Sequence, residues 1–321
     1  MTSAIVFAAL LVGQQAGAPI ERRAPYVPQG QRQESVPTLK VESRLVSVAV
    51  NVNDGTGAPV GGLGKDDFEI LEDGKVQPIA VFERESATPL SVVMAVDTSE
   101  SVITEAKMLR EAAKKFVHLL LRAQDEMDLV QFSDTVKEVV PFTNNERRLE
   151  AGLGSLERGD ATALYDAIYL SSQRLQETRN DAGRRRVIVL VTDGGDTVKG
   201  VKYTEALEEA QRAGAMVYCL IVVPIWADAG RNTGGEHALI QLAEDTGGKY
   251  FYVKDPKQLE PALAHVSDDL RTQYVVGYYS PRKVDGGFRK IKVRMKDESL
   301  REKDLVRTRS GYYAKGDGPK E

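Results

Sequence analysis

The chain has 321 residues, 42% of them hydrophobic and 28% charged, with a formal net charge of -4. That length allows one large or two modest domains with cores of their own, and the near balance of charge excludes a strong field for nucleic acid or membrane. The single cysteine, Cys219, excludes an intramolecular disulfide, and its setting in MVYCLIVV predicts a buried strand position.

Residues 1–18 hold a short apolar run ending in a small-x-small triplet at Ala16 to Ala18, the pattern of a secretory signal peptide and its cleavage site. Pro19 after the expected cut, and the lack of Lys or Arg ahead of the run, depart from that pattern. The run is too short to span a bilayer, and no later segment approaches the roughly 20 apolar residues a transmembrane helix needs. The expectation is an exported protein, secreted, periplasmic or associated with the cell envelope. Residues 19–40 are rich in Pro, Gln and charge with no apolar period, as in an extended linker.

LVSVAVNV at 45–52 places Val46, Val48, Val50 and Val52 on one face and Ser47, Ala49 and Asn51 on the other, which predicts a half-buried strand. DFEILEDGKVQPIAVFERES at 67–86 predicts two more strands around an Asp73-Gly74 turn. From residue 90 the pattern becomes strand then helix. LSVVMAVD precedes an amphipathic stretch from Ile103 to Arg122; MDLVQFS and VKEVVPF follow, then a helix over 162–178, and RRVIVLVTD. A helix over 204–213, MVYCLIVV, a helix near 238–245, KYFYV and a helix over 256–270 complete the series. Almost continuous Val/Ile/Leu strands predict a doubly wound α/β fold, a mostly parallel sheet covered on both faces. Beyond residue 272, YVVGYYS, FRKIKVRMK and DLVRTRSGYYA read as strands again. Isolated hairpins are marginal, so residues 41–86 and 273–315 are expected to pair into one small, sandwich-like β domain with the α/β domain of 90–271 inserted in it, leaving 316–321 as a tail.

Three segments carry the candidate chemistry. AVDTSESV gives Asp97-x-Ser99-x-Ser101; GDATALYDAI places Thr162 at a helix start; LVTDGGDT places Asp193 after the most apolar strand. In open α/β sheets such loops meet at the carboxyl ends of the strands. Their hydroxyls and carboxylates are hard oxygen ligands suited to one Mg²⁺, Mn²⁺ or Ca²⁺ ion. Three neutral hydroxyls would leave that ion electrophilic enough to take a partner's carboxylate.

These three motifs, in this order, resemble the metal-ion-dependent adhesion site of von Willebrand factor type A domains, over roughly residues 90 to 271. The resemblance implies that Ser99, Ser101 and Thr162 contact the metal, that Asp97 and Asp193 act largely through water, and that the partner is a protein offering a carboxylate. The flanking KDDFEILEDGKVQPIAVFE, RTQYVVGYYSPRKVDGGFRKIKVRMK and RTRSGYYA resemble von Willebrand type A-related proteins found repeatedly in acidobacteria. Glu100, between the serines, departs from the small residue common there and adds a carboxylate.

Other motifs carry less. Asp166 is expected to brace a loop, Arg158-Gly159-Asp160 is a coincidental integrin-type tripeptide, and Trp226 lies in a loop either as an anchor or on the binding face. VGGLGKDD lacks the first Gly and the Ser or Thr of a phosphate loop. His118, His237 and His265 lie in helical stretches with no link to a strained serine turn, so an enzyme, including a metal-dependent hydrolase, is not expected. An assembly or structural subunit of an envelope complex is the alternative to a ligand-binding protein.

Overall fold

Four strands open the fold: β1 (Arg44–Asn53), β2 (Phe68–Glu72), β3 (Lys75–Gln77) and β4 (Val81–Glu83). The computed structural model describes residues 44–84, 88–99, 102, 106–178, 184–223, 232–301 and 305–314. The signal-like segment, the linker, Glu100, Ser101, Trp226 and the tail lie outside the described residues. In β1 the valines at 46, 48, 50 and 52 are all buried, as the alternation predicts, but Asn51 on the opposite face is only 3% exposed. Its side chain is engaged by the helical part of the molecule, so β1 is covered on both faces at that end. The β2–β3 turn has φ of 46° at Asp73 and 81° at Gly74, the two left-handed residues that a two-residue hairpin requires and that glycine accepts without strain.

The α/β part follows in chain order as β5 (Leu90–Asp97), α1 (Ala106–Leu120), β6 (Glu126–Phe132), β7 (Val136–Thr143), α2 (Glu146–Gly154) and α3 (Leu164–Glu177). Then come β8 (Arg185–Thr192), α4 (Tyr203–Ala213), β9 (Ala215–Val222), α5 (Thr233–Thr246), β10 (Tyr250–Val253) and α6 (Leu259–Arg271). Its strands form one sheet in the order β10-β9-β8-β5-β6-β7. All neighbours run parallel except the edge strand β7, which is antiparallel to β6. Alternate residues of β5 and β8 point into two cores. Val92, Met94, Val187 and Val189 meet Phe116 and Leu120 of α1 and Val266 of α6, whereas Val93, Ala95, Ile188 and Leu190 meet Leu164 and Ile168 of α3 and Leu239 of α5. Burial on both faces is why these strands lack alternation, and each buried Val, Leu, Ile, Met or Phe contributes roughly 1.5–3 kcal/mol by leaving water. Helix α2 has no counterpart among the sequence-predicted elements; Asn145 caps it by accepting the Arg148 N–H at 3.2 Å. Helix α5 is also longer than its predicted range of 238–245, beginning where Asn232 accepts the Gly235 N–H at 2.9 Å.

The chain ends with β11 (Tyr274–Ser280), β12 (Phe288–Met295), the single turn α7 (Glu298–Arg301), β13 (Leu305–Arg307) and β14 (Gly311–Tyr313). Strands from both ends of the chain share two four-stranded sheets, β13-β1-β11-β4 and β14-β12-β2-β3. Between these sheets lies a third core that includes Val48, Phe68, Ile70, Val276, Tyr278 and Val293.

Candidate metal centre

β5 and β8 are neighbours in the middle of the sheet, and the chain moves outward from them in opposite directions, β5 toward β6 and β8 toward β9. Such a reversal opens a crevice at the carboxyl ends of the two strands. Asp97 is the last residue of β5, and Asp193 directly follows Thr192, the last residue of β8.

Asp97 is fully buried. Its Oδ1 accepts the Ser99 N–H at 2.9 Å and its Oδ2 accepts the Thr192 hydroxyl at 2.7 Å. Burial pushes its carboxyl up to about 6; the hydrogen bonds from Ser99 and Thr192 pull in the other direction, and the neighbouring Asp193 adds to the rise. No described residue forms an ion pair with it. Thr192 was not legible as a site residue because it reads as an ordinary β-branched strand residue, yet its hydroxyl also accepts the Gly194 N–H at 3.1 Å and so ties Asp97 to the loop carrying Asp193. Asp193 is half-buried, and its Oδ1 accepts the Gly195 N–H at 2.9 Å.

Thr162 is 5% exposed and sits just ahead of α3. Its N–H donates to the Thr197 hydroxyl at 2.9 Å, and its carbonyl accepts the N–H groups of Thr197 at 2.9 Å and Val198 at 3.3 Å. Asp196 completes this connection. Its Oδ1 accepts the N–H groups of Leu164 at 2.9 Å and Tyr165 at 3.4 Å, capping α3 where the preceding Ala163 has no side chain to do so. Burial raises the Asp196 carboxyl and these two bonds oppose it. Asp166 braces the same loop, accepting the Val201 N–H at 3.3 Å.

Ser99 is buried and bridges to Gly159, whose N–H donates to the Thr98 carbonyl at 3.1 Å. A Cβ on Gly159 would stand 2.3 Å from the Ser133 hydroxyl, so only glycine allows the approach. Asp134 accepts the N–H groups of Asp160 at 3.0 Å and Ala161 at 3.2 Å. The Arg158-Gly159-Asp160 segment thus packs the Thr162 loop against the end of β6. Asp97 at the end of β5 and Ser99, Thr162 and Asp193 on the loops beyond the strands are tied together at this edge, while Ser101 and Glu100 lie outside the described residues. No group of three or more His, Cys, Asp or Glu among the described residues could hold a metal ion, so an ion here depends on hydroxyl oxygens beside the two carboxylates.

The histidines stand elsewhere. His118 pairs with Glu146 at 2.5 Å and Glu150 at 2.9 Å, His265 stacks on Phe251, and His237 is exposed at the start of α5. Cys219 is buried, with its thiol 3.6 Å from the Leu239 carbonyl, and burial pushes that thiol up, away from reactivity.

A family model for the von Willebrand factor type A domain matches residues 91–265, more than half of the chain. The chain belongs to the von Willebrand factor type A family. The match begins in β5 and ends in α6, so it covers all three segments of the site. A curated relative, calcium-activated chloride channel regulator 4 of Homo sapiens, is 26% identical over 188 residues, which are 56% of this chain and 19% of that protein. The chain therefore spans less than a fifth of that relative's length. Among solved structures, the conserved hypothetical protein BatB from Bacteroides thetaiotaomicron is 20% identical with a TM-score of 0.46, over 56% of this chain and 98% of that one. Proximal thread matrix protein 1 from the mussel byssus, solved with a zinc-occupied MIDAS motif, is 16% identical with a TM-score of 0.47, over 58% of this chain and 49% of that one. Among the described residues, no helix of this type A protein is long and apolar enough to cross a membrane.

Proposed function

We propose that the chain is an exported von Willebrand type A protein that binds a protein partner through one divalent cation held by Asp97, Ser99, Ser101, Thr162 and Asp193. The observation that carries this reading is Asp97: a carboxylate with 0% exposure at the strand end, held by neutral donors of Ser99 and Thr192 and in no ion pair with a described residue. A buried charge of that kind is expensive unless something of opposite sign stands nearby. Mg²⁺, Mn²⁺ or Ca²⁺ fits the oxygen donors. When bound, the ion supplies an electrophilic position for an aspartate or glutamate of the partner.

The chain's own residues prepare that position. Thr192 and the Ser99 N–H fix both oxygens of Asp97, so the carboxylate is oriented before any ion arrives. The Thr162–Thr197 bonds lock the helix entrance carrying the Thr162 hydroxyl to the loop carrying Asp193, which reduces the ordering cost of binding. We further propose that residues 41–86 and 273–315 form one β domain carrying the type A domain of 90–271 as an insertion, placed in the cell envelope or outside the cell.

The test is capture of proteins from an envelope extract on the immobilised chain, with Mg²⁺ or with EDTA, and with the Thr162→Ala chain alongside. The reading predicts a partner retained with Mg²⁺, released by EDTA and not retained by Thr162→Ala. A partner held equally well in all three conditions would overturn it.

A further inference from the structure

The opposite edge of the central sheet has the reverse charge. Arg184, Arg185 and Arg186 run into the start of β8, and Arg309 approaches from the link between β13 and β14. Two adjoining cavities of about 290 and 200 Å³ share Ser47, Arg186, Ala213, Gly214 and Arg309 as walls. The smaller adds Arg184 and Arg185, the larger Arg212, Arg282 and Arg289, and neither has an Asp or Glu among its described walls.

Most of these arginines have a carboxylate outside the cavity walls. Arg184 pairs with Glu126 at 3.5 Å, Arg212 with Glu208 at 2.6 Å, Arg282 with Asp73, and Arg289 with Glu72 at 3.7 Å. Arg185 and Arg309 differ. Arg185 is 6% exposed and donates to three neutral oxygens, the Leu270 carbonyl and Gln273 Oε1, each at 2.6 Å, and the Thr88 carbonyl at 3.5 Å. Arg309 donates to the Ser47 carbonyl at 2.9 Å and lies over the Tyr312 ring at 5.5 Å. Neither makes an ion pair with any described residue, and the Nε of each is buried without a hydrogen-bond partner. Burial lowers both guanidinium groups, Arg185 to about 10.

A purely structural account must neutralise these two charges locally. The C-terminal end of α4, at Gly214, adjoins the Arg309 guanidinium, since a Cβ on Gly214 would stand 3.4 Å from its Nη1. That helix end supplies roughly half a negative charge, which offsets only part of the two guanidinium charges. A positive excess remains in a space large enough for a ligand.

We propose that this cleft binds a ligand carrying a phosphate or sulfate group. Guanidinium forks match tetrahedral oxyanions bidentately, and forks arriving from two sides can engage three terminal oxygens, where a carboxylate offers only two. Ser47 and Arg309 come from the flanking sheets and Arg185 from the central sheet, so a bound oxyanion ties the two parts of the molecule together. The site is separate from the metal centre, at the other end of β8.

The test is calorimetric titration of the full chain in EDTA with inorganic phosphate, inorganic sulfate, and vesicles of phosphatidylglycerol in phosphatidylcholine. The variants are Arg309→Gln and Ser47→Glu, the second placing a carboxylate at an exposed residue of the cleft wall without removing a contact of the core. The expected result is saturable binding of at least one probe, weakened by about tenfold or more in either folded variant, as loss of one charge-assisted contact implies. Binding of the free ions assigns the site to soluble phosphorylated or sulfated ligands, and binding of the vesicles alone assigns it to a lipid headgroup. No saturable binding of any probe, or unchanged affinity in Ser47→Glu, overturns the proposal.

Discussion

The two ends of β8 meet the same problem, polar groups taken out of water, with opposite solutions. At its carboxyl end, Asp97 is held by neutral donors of Ser99 and Thr192, and the loops around it are joined by a few hydrogen bonds of Thr192, Thr197 and Asp196. At its amino end, Arg185, Gln273, Asn51, Tyr218 and Asp269 form a closed network. Gln273 donates to Asn51 at 2.8 Å and Tyr218 at 3.3 Å; Asn51 donates to the Asp269 carbonyl at 3.0 Å; the Tyr218 hydroxyl donates to the Asp269 carboxylate at 2.6 Å, and Arg307 pairs with it. This network attaches the flanking sheets at the amino end, whereas at the carboxyl end no described residue forms an ion pair with Asp97.

Breaking the network should have the largest effect. Asp269→Ala removes the acceptor of Tyr218 and the partner of Arg307, and removing one partner of a buried pair costs about 3–5 kcal/mol. Urea unfolding measures it; a loss below about 1 kcal/mol, the range of an exposed pair, would show that this edge is not what holds the flanks. At the other edge the sign reverses. The folded-state carboxyl of Asp97 stands at about 6 against 3.8 for the ordinary group, so its protonated form favours the fold. In EDTA, this group's contribution grows as pH falls from above 6 toward 3.8 and is lost again as pH rises. At pH 7 Asp97→Asn should therefore stabilise the metal-free chain by up to about 3 kcal/mol, an advantage that vanishes near pH 4. Equal stability of the two chains across that range would contradict a strained, uncompensated carboxylate.

Gly159→Ala tests the coupling between packing and site. Its Cβ would meet Ser133 and Asp134 at 2.3 to 2.5 Å, an overpacking of about 1–3 kcal/mol relieved by moving the loop that carries Thr162. Mg²⁺ affinity should fall along with stability; a drop in melting temperature with unaltered affinity would separate the loop from the site.

The central fold was legible because its signals are local. The unbroken VIVLV of β8, the alternating valines of β1 and the Asp73-Gly74 turn each report their own environment within a few residues. Helix α2 was missed although Asn145 and Glu146 form an ordinary helix start, because its apolar face is only Leu149 and Leu153 among charged residues. At the site, the D-x-S-x-S spacing, Thr162 and Asp193 stand out as motifs, but their supports do not. Thr192 and Asp196 act across sequence separations of 95 and 32 residues, and Gln273 reaches Asn51 across 222. Only the folded chain brings such pairs together, so no periodicity announces them.

The central claim is most directly tested by calorimetric titration of Mg²⁺, Mn²⁺ and Ca²⁺ into the EDTA-stripped chain, beside a chain carrying Asp97→Ala and Asp193→Ala. The account predicts one saturable site for at least one of these ions, abolished in the double variant while the fold persists. Absence of saturable binding in the unmodified chain, or binding that survives the loss of both carboxylates, would contradict it.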